Sequence, residues 1–397
     1  MISQLHIKNF KSIVDLTLDL GRVNLFIGEN GCGKSNILEA VAFATSANEG
    51  IVNTTVLYSK GVRVTDAIYY HNGFSDVQLD NIEISLLDDN YWWHNFFNLE
   101  NYEVWRNSNV GTEFVNFLVK AVPYFDDPSG AIRLKKDEFG GYEFAVNFEK
   151  LKTSTSNKEK SKLIEDYNDV IQYIERSRSE FMSKYMIYSP ENSSLRKFEE
   201  EGQVKPLGSR GEGLFGLLKS LSKDNGSLQY VKEYLEAIDW FEDFSIPNDL
   251  MSNEYKIAIK DRFINSDLMQ LDQRSANEGF LFLLFYIVLF SSKKTPQFFA
   301  VDNIEASFNP KLCAKLINML VELSKKNEKQ VLMTTHNPAT LDGLDLNDPE
   351  QRLFVVRRNI DGHTIATRIT EKPKISTPMK LSEMWTKGLL GGLPNNF

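Results

Sequence analysis

The sequence predicts an α/β fold: a mixed sheet with a phosphate-loop core and antiparallel N-terminal strands, carrying a large inserted helical and β region. Three observations support that expectation. A strand, a glycine loop and a helix follow one another from Val23 to Ala47; apolar strands leading to Asp302 and His336 alternate with helices toward the other end; and the long stretch between shows neither pattern.

The elements follow in chain order. Ile2, Leu5 and Ile7, then Ile13, Leu16, Leu18 and Leu20, stand among polar neighbours, which predicts two half-buried strands joined at residues 9–12. A third strand, Val23 to Ile27, runs into Gly28, and from Ser35 the residues Ile37, Leu38, Val41 and Ala44 recur at helical spacing. In the middle, the aromatic-rich stretch Asn72 to Tyr142 reads as strands and core. Residues 157–184 read as a charged amphipathic helix with Leu163, Tyr167, Val170, Ile174 and Phe181 on one face, a short arm without the sustained heptads of a coiled coil. Phe280 to Phe290 is apolar throughout but only about half the length that a membrane span needs, so a buried core helix is expected. After it come a strand at Phe298–Val301, a helix through Leu312, Leu316, Met319 and Leu320, and strands at Val331–Thr334, Leu353–Arg357 and Thr364–Ile369. The division expected is an N-terminal lobe at 1–50, an insertion at 51–270 and a C-terminal lobe at 271–397.

Composition narrows the function classes. Hydrophobic residues make up 42% of the 397, enough for a folded core and too many for a disordered chain. With 45 Lys and Arg against 54 Asp and Glu the net charge is -9, which excludes a polycation that coats nucleic acid. The two cysteines, Cys32 and Cys313, exclude a disulfide framework or a cysteine-rich zinc site. The opening MISQLHIKNF lacks the apolar core of a signal peptide, so a cytoplasmic protein without a membrane segment is expected.

Gly28-Glu29-Asn30-Gly31-Cys32-Gly33-Lys34-Ser35 fits the Walker A pattern. Its glycines let the N–H groups of Asn30, Gly31, Cys32 and Gly33 turn around phosphates, Lys34 meets the β and γ phosphates, and the Ser35 hydroxyl ligates Mg²⁺, with Asn36 next in line at the start of the helix. ATP and Mg²⁺ are therefore the expected cofactors. Phe298-Phe299-Ala300-Val301-Asp302 is a Walker B arrangement that delivers Asp302 to the same metal. His336, at the end of Val331-Leu332-Met333-Thr334-Thr335, is placed to hydrogen-bond a γ-phosphate or the attacking water.

These motifs resemble, in order, those of the ABC-type ATPases in the branch that includes RecF, the SMC proteins and the OLD-like ATPases: IKNFKSI, GENGCGKSN, FFAVDNIEASFNP and TTHNPATLDGL. Within that branch the chain looks most like the compact ATPases of bacterial anti-phage defence loci, of the AriA and PtuA types. The resemblance implies an ABC ATPase head whose two copies sandwich two ATP molecules, a homodimer through ATP with faces left free for a higher oligomer. It places a trans signature at 274–279, with Ser275 and Gly279 on the partner's γ-phosphate; a helix N-cap at Ser275, with Glu278 three residues on, is compatible with the same residues. It also puts adenine contacts at Phe10 and Lys11, a D-loop at Phe308, Asn309 and Pro310, and a Q-loop glutamine in the middle region, where Gln78 is a candidate.

One position departs from the family. The residue after the Walker B aspartate is usually a glutamate that activates water, and here it is Asn303, an amide that cannot take the proton. Slow hydrolysis follows unless Glu305 substitutes; Glu305 reads equally well as a charge at the start of the next helix. No effector chemistry is present in the chain, which points to a separate nuclease or toxin as partner and to a sensor or scaffold role in defence. A RecF-like DNA clamp is the alternative, its phosphate contacts drawn from Lys150, Lys152, Lys158, Lys160 and Lys162. The closing segment with Trp385, Leu389, Leu390, Leu393 and Phe397 is expected to pack on its own head.

Overall fold

The computed structural model describes residues 1–48, 52–74, 81–88, 91–100, 104–111, 132–136, 142–146, 180–197, 206–223, 227–247, 256–265, 271–373 and 378–393. The predicted helix at 157–184 falls outside them except for a short turn of helix at Glu180–Ser183, and Gln78, the five lysines of 150–162 and Phe397 also lie outside.

Two sheets enclose a helix. The strands are β1 (Ile2–Phe10), β2 (Ile13–Asp19), β3 (Val23–Gly28), β4 (Ile82–Asp88), β5 (Tyr91–Glu100), β6 (Val104–Gly111), β7 (Ile132–Lys136), β8 (Tyr142–Val146), β9 (Ile187–Tyr188), β10 (Phe241–Ser245), β11 (Ala258–Asp261), β12 (Phe298–Val301), β13 (Gln330–Thr335), β14 (Gln351–Arg358) and β15 (Thr364–Ile369). The main sheet runs β15-β14-β3-β13-β12-β9, parallel throughout except for β15. The second, β2-β1-β4-β5-β6, is antiparallel. Two antiparallel ribbons, β7-β8 and β10-β11, stand apart from both.

The side-chain alternation of β3 explains the layering. Val23, Leu25 and Ile27 point to one face and Phe26 to the other, and all are buried, as a strand covered on both sides requires. On the Phe26 side lies helix α1 (Lys34–Asn48), whose Ile37, Leu38, Val41 and Phe43 fill the space between the sheets with Ile7 and Ile84. On the other side lie α2 (Glu278–Ser291) and α3 (Pro310–Lys326). Every residue of α2 from Phe280 to Phe290 is buried, so its all-round apolarity belongs to a helix enclosed by protein. No helix among the described residues is long and apolar enough to cross a membrane.

Two parts of the stretch read as an insertion pair directly with the lobes. Strands β4 to β6 extend the N-terminal antiparallel sheet from β1, and β9 closes the edge of the main sheet against β12. Two residues are too few to show a strand period, which is why β9 left no mark in the sequence.

The C-terminal segment docks on its own head through helix α4 (Leu381–Thr386). Leu381, Met384, Trp385 and Leu390 are buried in the same core as α2, and Asp342 accepts hydrogen bonds from the Ser382 amide (3.0 Å) and hydroxyl (2.7 Å). Leu389 and Leu393 stay partly exposed.

A buried lysine closes the far end of α2, its pKa pulled down to about 7 by that burial. Lys329, 1% exposed, donates to the carbonyls of Ser292 (2.7 Å), Thr295 (3.0 Å) and Pro296 (3.0 Å) and to the Thr295 hydroxyl (3.0 Å). Lys329→Met keeps the apolar stem and removes the donor to the Thr295 and Pro296 carbonyls, while the Ser292 carbonyl keeps the Thr295 hydroxyl (2.8 Å). A loss of about 3 kcal/mol is expected in urea unfolding, within the range for buried acceptors left without a donor; an unchanged midpoint would show that the turn repacks without the lysine.

Candidate active site

Parallel register brings three strand ends together. Ile27 of β3 pairs with Thr335 of β13, and Val301 of β12 with Met333, so the residues that follow these strands converge at one sheet edge. Carboxyl ends of neighbouring parallel strands are the usual place for a ligand in such a sheet.

The loop between β3 and α1 is braced from outside. Gly31 and Gly33 have φ of +75° and +106°, which L side chains avoid. The Thr364 hydroxyl donates to the Cys32 carbonyl (2.8 Å) and meets the Ser12 hydroxyl (2.7 Å), to which the Asn36 amide also donates (2.7 Å). Arg358 donates to the Gly31 carbonyl (2.9 Å). Strands β14 and β15 and the β1–β2 turn thus hold the loop open. The Cys32 thiol, buried in the wall, has its pKa raised by that burial.

Inside the loop, Lys34 folds across the site. Its ammonium donates to the Gly28 and Glu29 carbonyls (2.9 Å each) and lies 3.3 Å from His336 Nδ1. Burial pulls the Lys34 pKa down from the usual lysine value. Burial and the Lys34 charge together lower that of His336. A neutral His336 that accepts from Lys34 at Nδ1 carries its proton on Nε2, a donor suited to a phosphate oxygen.

Ser35 donates to both carboxylate oxygens of Asp302, at 3.2 and 3.0 Å. The Thr334 hydroxyl donates to Asp302 Oδ1 and accepts from the Asn303 amide (2.9 Å), which fixes the turn after β12. A hydroxyl and a carboxylate presented together are hard oxygen donors of the kind Mg²⁺ takes, and the backbone cradle around Gly31, where an added Cβ would meet nothing within 4 Å, leaves room for phosphates. The residues present fit both groups. Asn303 sits in this turn at φ +57° with its side chain exposed. Glu305 Oε1 accepts the His336 amide (2.7 Å), while its Oε2 is buried without a hydrogen-bond partner. The structure therefore gathers Lys34, Ser35, Asp302, Asn303, Glu305 and His336 into one constellation.

Beside it is a cleft of about 480 Å³ lined by Lys11, Ser12, Asn36, Arg63, Tyr69 and Arg358, among others. The Phe10 ring does not face it: Phe10 is fully buried against Phe43 and Tyr70, with ring centroids 5.1 and 6.3 Å apart. Lys11 does face it, tied to Glu39, a carboxylate only 2% exposed that also holds Arg63 (2.8 Å). Arg63 in turn donates to the Asn36 side chain (3.1 Å). Sequence reasoning missed Glu39, Arg63, Tyr69, Thr364 and Arg358. One signal was present: Asn36 and Glu39, three apart, share a face of α1.

Ser275 and Gly279 stand elsewhere. The Asp272 carboxylate accepts from the Arg274 amide, the Ser275 amide and the Ser275 hydroxyl (2.9, 2.9 and 3.0 Å). The N-cap of α2 is Asn277, whose side chain accepts from the Phe280 amide (2.8 Å); Ser275 is committed to Asp272 and does not cap the helix. Gly279 lies in the first turn beside Ser307 and Asn309, at a second cleft of about 460 Å³. Asn309 caps α3 with Pro310 at its first position. Gly279 lines this second cleft, Ser275 lines neither, and the two clefts share no lining residue.

A phosphate loop, a strand-end carboxylate paired with the loop serine and a strand-end histidine, on a mixed sheet flanked by an antiparallel one, define an ATPase head of the ABC and SMC class. The chain belongs to the family described as "AAA domain, putative AbiEii toxin, Type IV TA system", which matches residues 23–342. It is similar to the uncharacterized protein MJECL10 of Methanocaldococcus jannaschii, 51% identical over 51 residues. That match spans 13% of this chain and 23% of the relative, about a quarter of its length. Among solved structures it is similar to an Smc head bound to the C-winged helix domain of ScpA, with a TM-score of 0.55 and 14% identity over 93% of this chain and 98% of the other. The SMC head domain from Thermotoga maritima aligns with a TM-score of 0.49 and 13% identity over 93% of this chain and 98% of that one. At such identities the first of these likenesses shows the fold, an SMC head-like α/β architecture.

Proposed function

We propose that the chain binds ATP with Mg²⁺ at the phosphate loop, dimerises through ATP, and acts as a sensor and scaffold controlling a separate nuclease or toxin in bacterial anti-phage defence, with slow hydrolysis. The observation that carries this reading is the constellation at the phosphate loop: Lys34 beside His336 (3.3 Å) and Ser35 on the Asp302 carboxylate (3.0 Å), with Gly279 at a different cleft. In this reading a second copy brings its Ser275–Gly279 segment to the γ-phosphate held by the first.

In this reading the amides of Asn30, Gly31, Cys32 and Gly33 bind phosphate oxygens and Lys34 exchanges its two carbonyl partners for the β and γ phosphates. Ser35 and Asp302 hold Mg²⁺, which when bound withdraws charge from the phosphate oxygens. Lys11, Asn36 and the exposed ring of Tyr69 border the space for the base. His336 orients the γ-phosphate, and Ser275 and Gly279 meet it from the partner copy. Asn303, as an amide, cannot take the proton, which supports slow turnover unless Glu305, whose Oε2 has no hydrogen-bond partner, takes it instead. The family's description names a toxin of a toxin–antitoxin system, and a head of this fold carries a protein partner in the Smc–ScpA structure; both support control of a second polypeptide.

The test is purification of the tagged chain at physiological salt with ATP and Mg²⁺, beside Lys34→Ala. A stoichiometric protein with nuclease or toxin features, retained with ATP and lost in the variant, is expected. DNA recovered alone, and lost with Lys34→Ala, would replace this reading with the RecF-like clamp.

A further inference from the structure

The loop that leads into α2 is held by segments that lie between the two lobes in sequence and pack into the same core as α2. Arg196 ends the short helix Asn192–Arg196, and its Nη1 donates to the carbonyls of Gln273 (3.1 Å) and Arg274 (2.6 Å) while Nε donates to the Asn192 side chain (2.7 Å). Gln273, 2% exposed, accepts the Ile257 amide at its side-chain oxygen (3.2 Å). Asp272 then clamps Arg274 and Ser275 within the loop. The main chain of 272–275 thus depends on a cation from one segment and an amide from another, both in the stretch that joins the lobes.

Arg196 is itself firmly placed. Leu195 beside it is fully buried, and a Cβ on Gly211 would lie 2.4 Å from its Cδ2. The Ser189 amide donates to the Ser209 carbonyl (2.8 Å), and the Glu191 amide to that of Arg210 (3.0 Å). Residues 189–196 and 208–211 therefore form one unit, and Arg196 is its contact with the signature loop. A guanidinium with two N–H groups on one nitrogen suits two successive carbonyls, a pairing that fixes the path of the main chain and supplies no neutralising charge.

We infer that Arg196 is a positioning residue for the ATP-dependent dimer: it sets the trans-facing loop of Ser275 and Gly279 and links the region between the lobes to the dimer interface. The inference rests on the proposed trans role of that loop. A partner that shifts the unit of 189–196 and 208–211 would loosen the loop, and dimer closure would restrain the unit in return, since such coupling is reciprocal.

The experiment compares wild type, Arg196→Ala and Arg196→Lys in three measurements: ATP affinity at dilution, the dimer dissociation constant with ATP and Mg²⁺ by sedimentation, and amide hydrogen exchange of residues 272–280 in the ATP-free monomer. Arg196→Ala is expected to leave ATP affinity within about twofold, weaken the dimer at least tenfold, about 1.4 kcal/mol, and speed exchange across 272–280. Arg196→Lys, which keeps the charge and can reach one carbonyl, is expected to recover part of both losses. A dimer of normal affinity and unchanged exchange in Arg196→Ala would overturn the inference alone. Equal losses in ATP binding and dimerisation would overturn it in favour of a role in general stability. A wild-type chain that binds ATP and stays monomeric would overturn the dimer reading and the inference with it.

Discussion

Gly33→Ala is expected to abolish measurable ATP binding, a loss of at least a hundredfold in affinity. Two independent costs meet at this position. The φ of +106° lies where a Cβ is strained whatever its surroundings. The added Cβ would also lie 2.1 Å from Thr364 Oγ1, 2.8 Å from Thr364 Cγ2 and 2.9 Å from Ser12 Oγ. Neither neighbour can give way cheaply. Thr364 donates its hydroxyl to the Cys32 carbonyl and its amide to the Ser12 carbonyl (2.7 Å), so moving it undoes the brace of the same loop. The loop must shift instead, and the shift carries Lys34 and Ser35 off the line set by Asp302 and His336. A hundredfold loss corresponds to about 2.8 kcal/mol, within what a strained backbone plus one forced displacement costs. Calorimetric titration with ATP checks it, with circular dichroism to show that the chain is folded. Adding Thr364→Ala removes the nearest contact but not the φ strain, so partial recovery is expected. Affinity within threefold of wild type in Gly33→Ala would show that the loop is not the phosphate site.

The sequence was informative where chemistry is local. Lys34 and Ser35 are spaced by the loop itself, and Asp302 and His336 each follow an apolar strand, so their meeting needed only the parallel order β3-β13-β12. Side chains whose role depends on distant partners were not legible. Glu39 is one of many acidic residues until Arg63 and Lys11 are seen on either side of it, and Thr364 is an ordinary strand residue until it is found against Gly33. Phe10 shows the converse: the resemblance made it an adenine contact, yet its ring is buried at the end of β1 and only Lys11, in the turn that follows, lines the cleft. Ser275 likewise reads as a helix cap by spacing, but an aspartate three residues earlier competes for it, and Asn277 caps the helix. The middle of the chain was opaque because its pairing is long-range; β4 finds β1 across more than seventy residues, and β9 is too short to have a period.

Asn303→Glu is expected to raise steady-state ATP turnover at least tenfold and to shorten the life of the ATP-bound dimer. The position immediately follows Asp302, and its amide is fixed by Thr334, so a carboxylate there would be carried on a turn already anchored to the proposed metal site. A positioned general base contributes roughly 10²–10⁴ in rate, which leaves room for imperfect alignment. The substitution has a cost that the sequence alone does not reveal. Asn303 has φ +57°, a conformation asparagine tolerates better than glutamate, and about 1 kcal/mol of stability is expected to be lost. A further penalty comes from a third carboxylate near Asp302 and Glu305, greatest in the ATP-free chain where no metal offsets it. Turnover should therefore rise while the ATP-free melting temperature falls, a combination that general stabilisation cannot produce. Glu305→Gln separates the remaining alternative. If Glu305 already serves as the base, that variant loses turnover and Asn303→Glu adds little; if hydrolysis is slow for want of a base, Glu305→Gln changes turnover only slightly and Asn303→Glu restores it in either background. Single-turnover phosphate release with the dimer preformed measures the chemical step directly, so a change in dimer affinity cannot stand in for a change in catalysis.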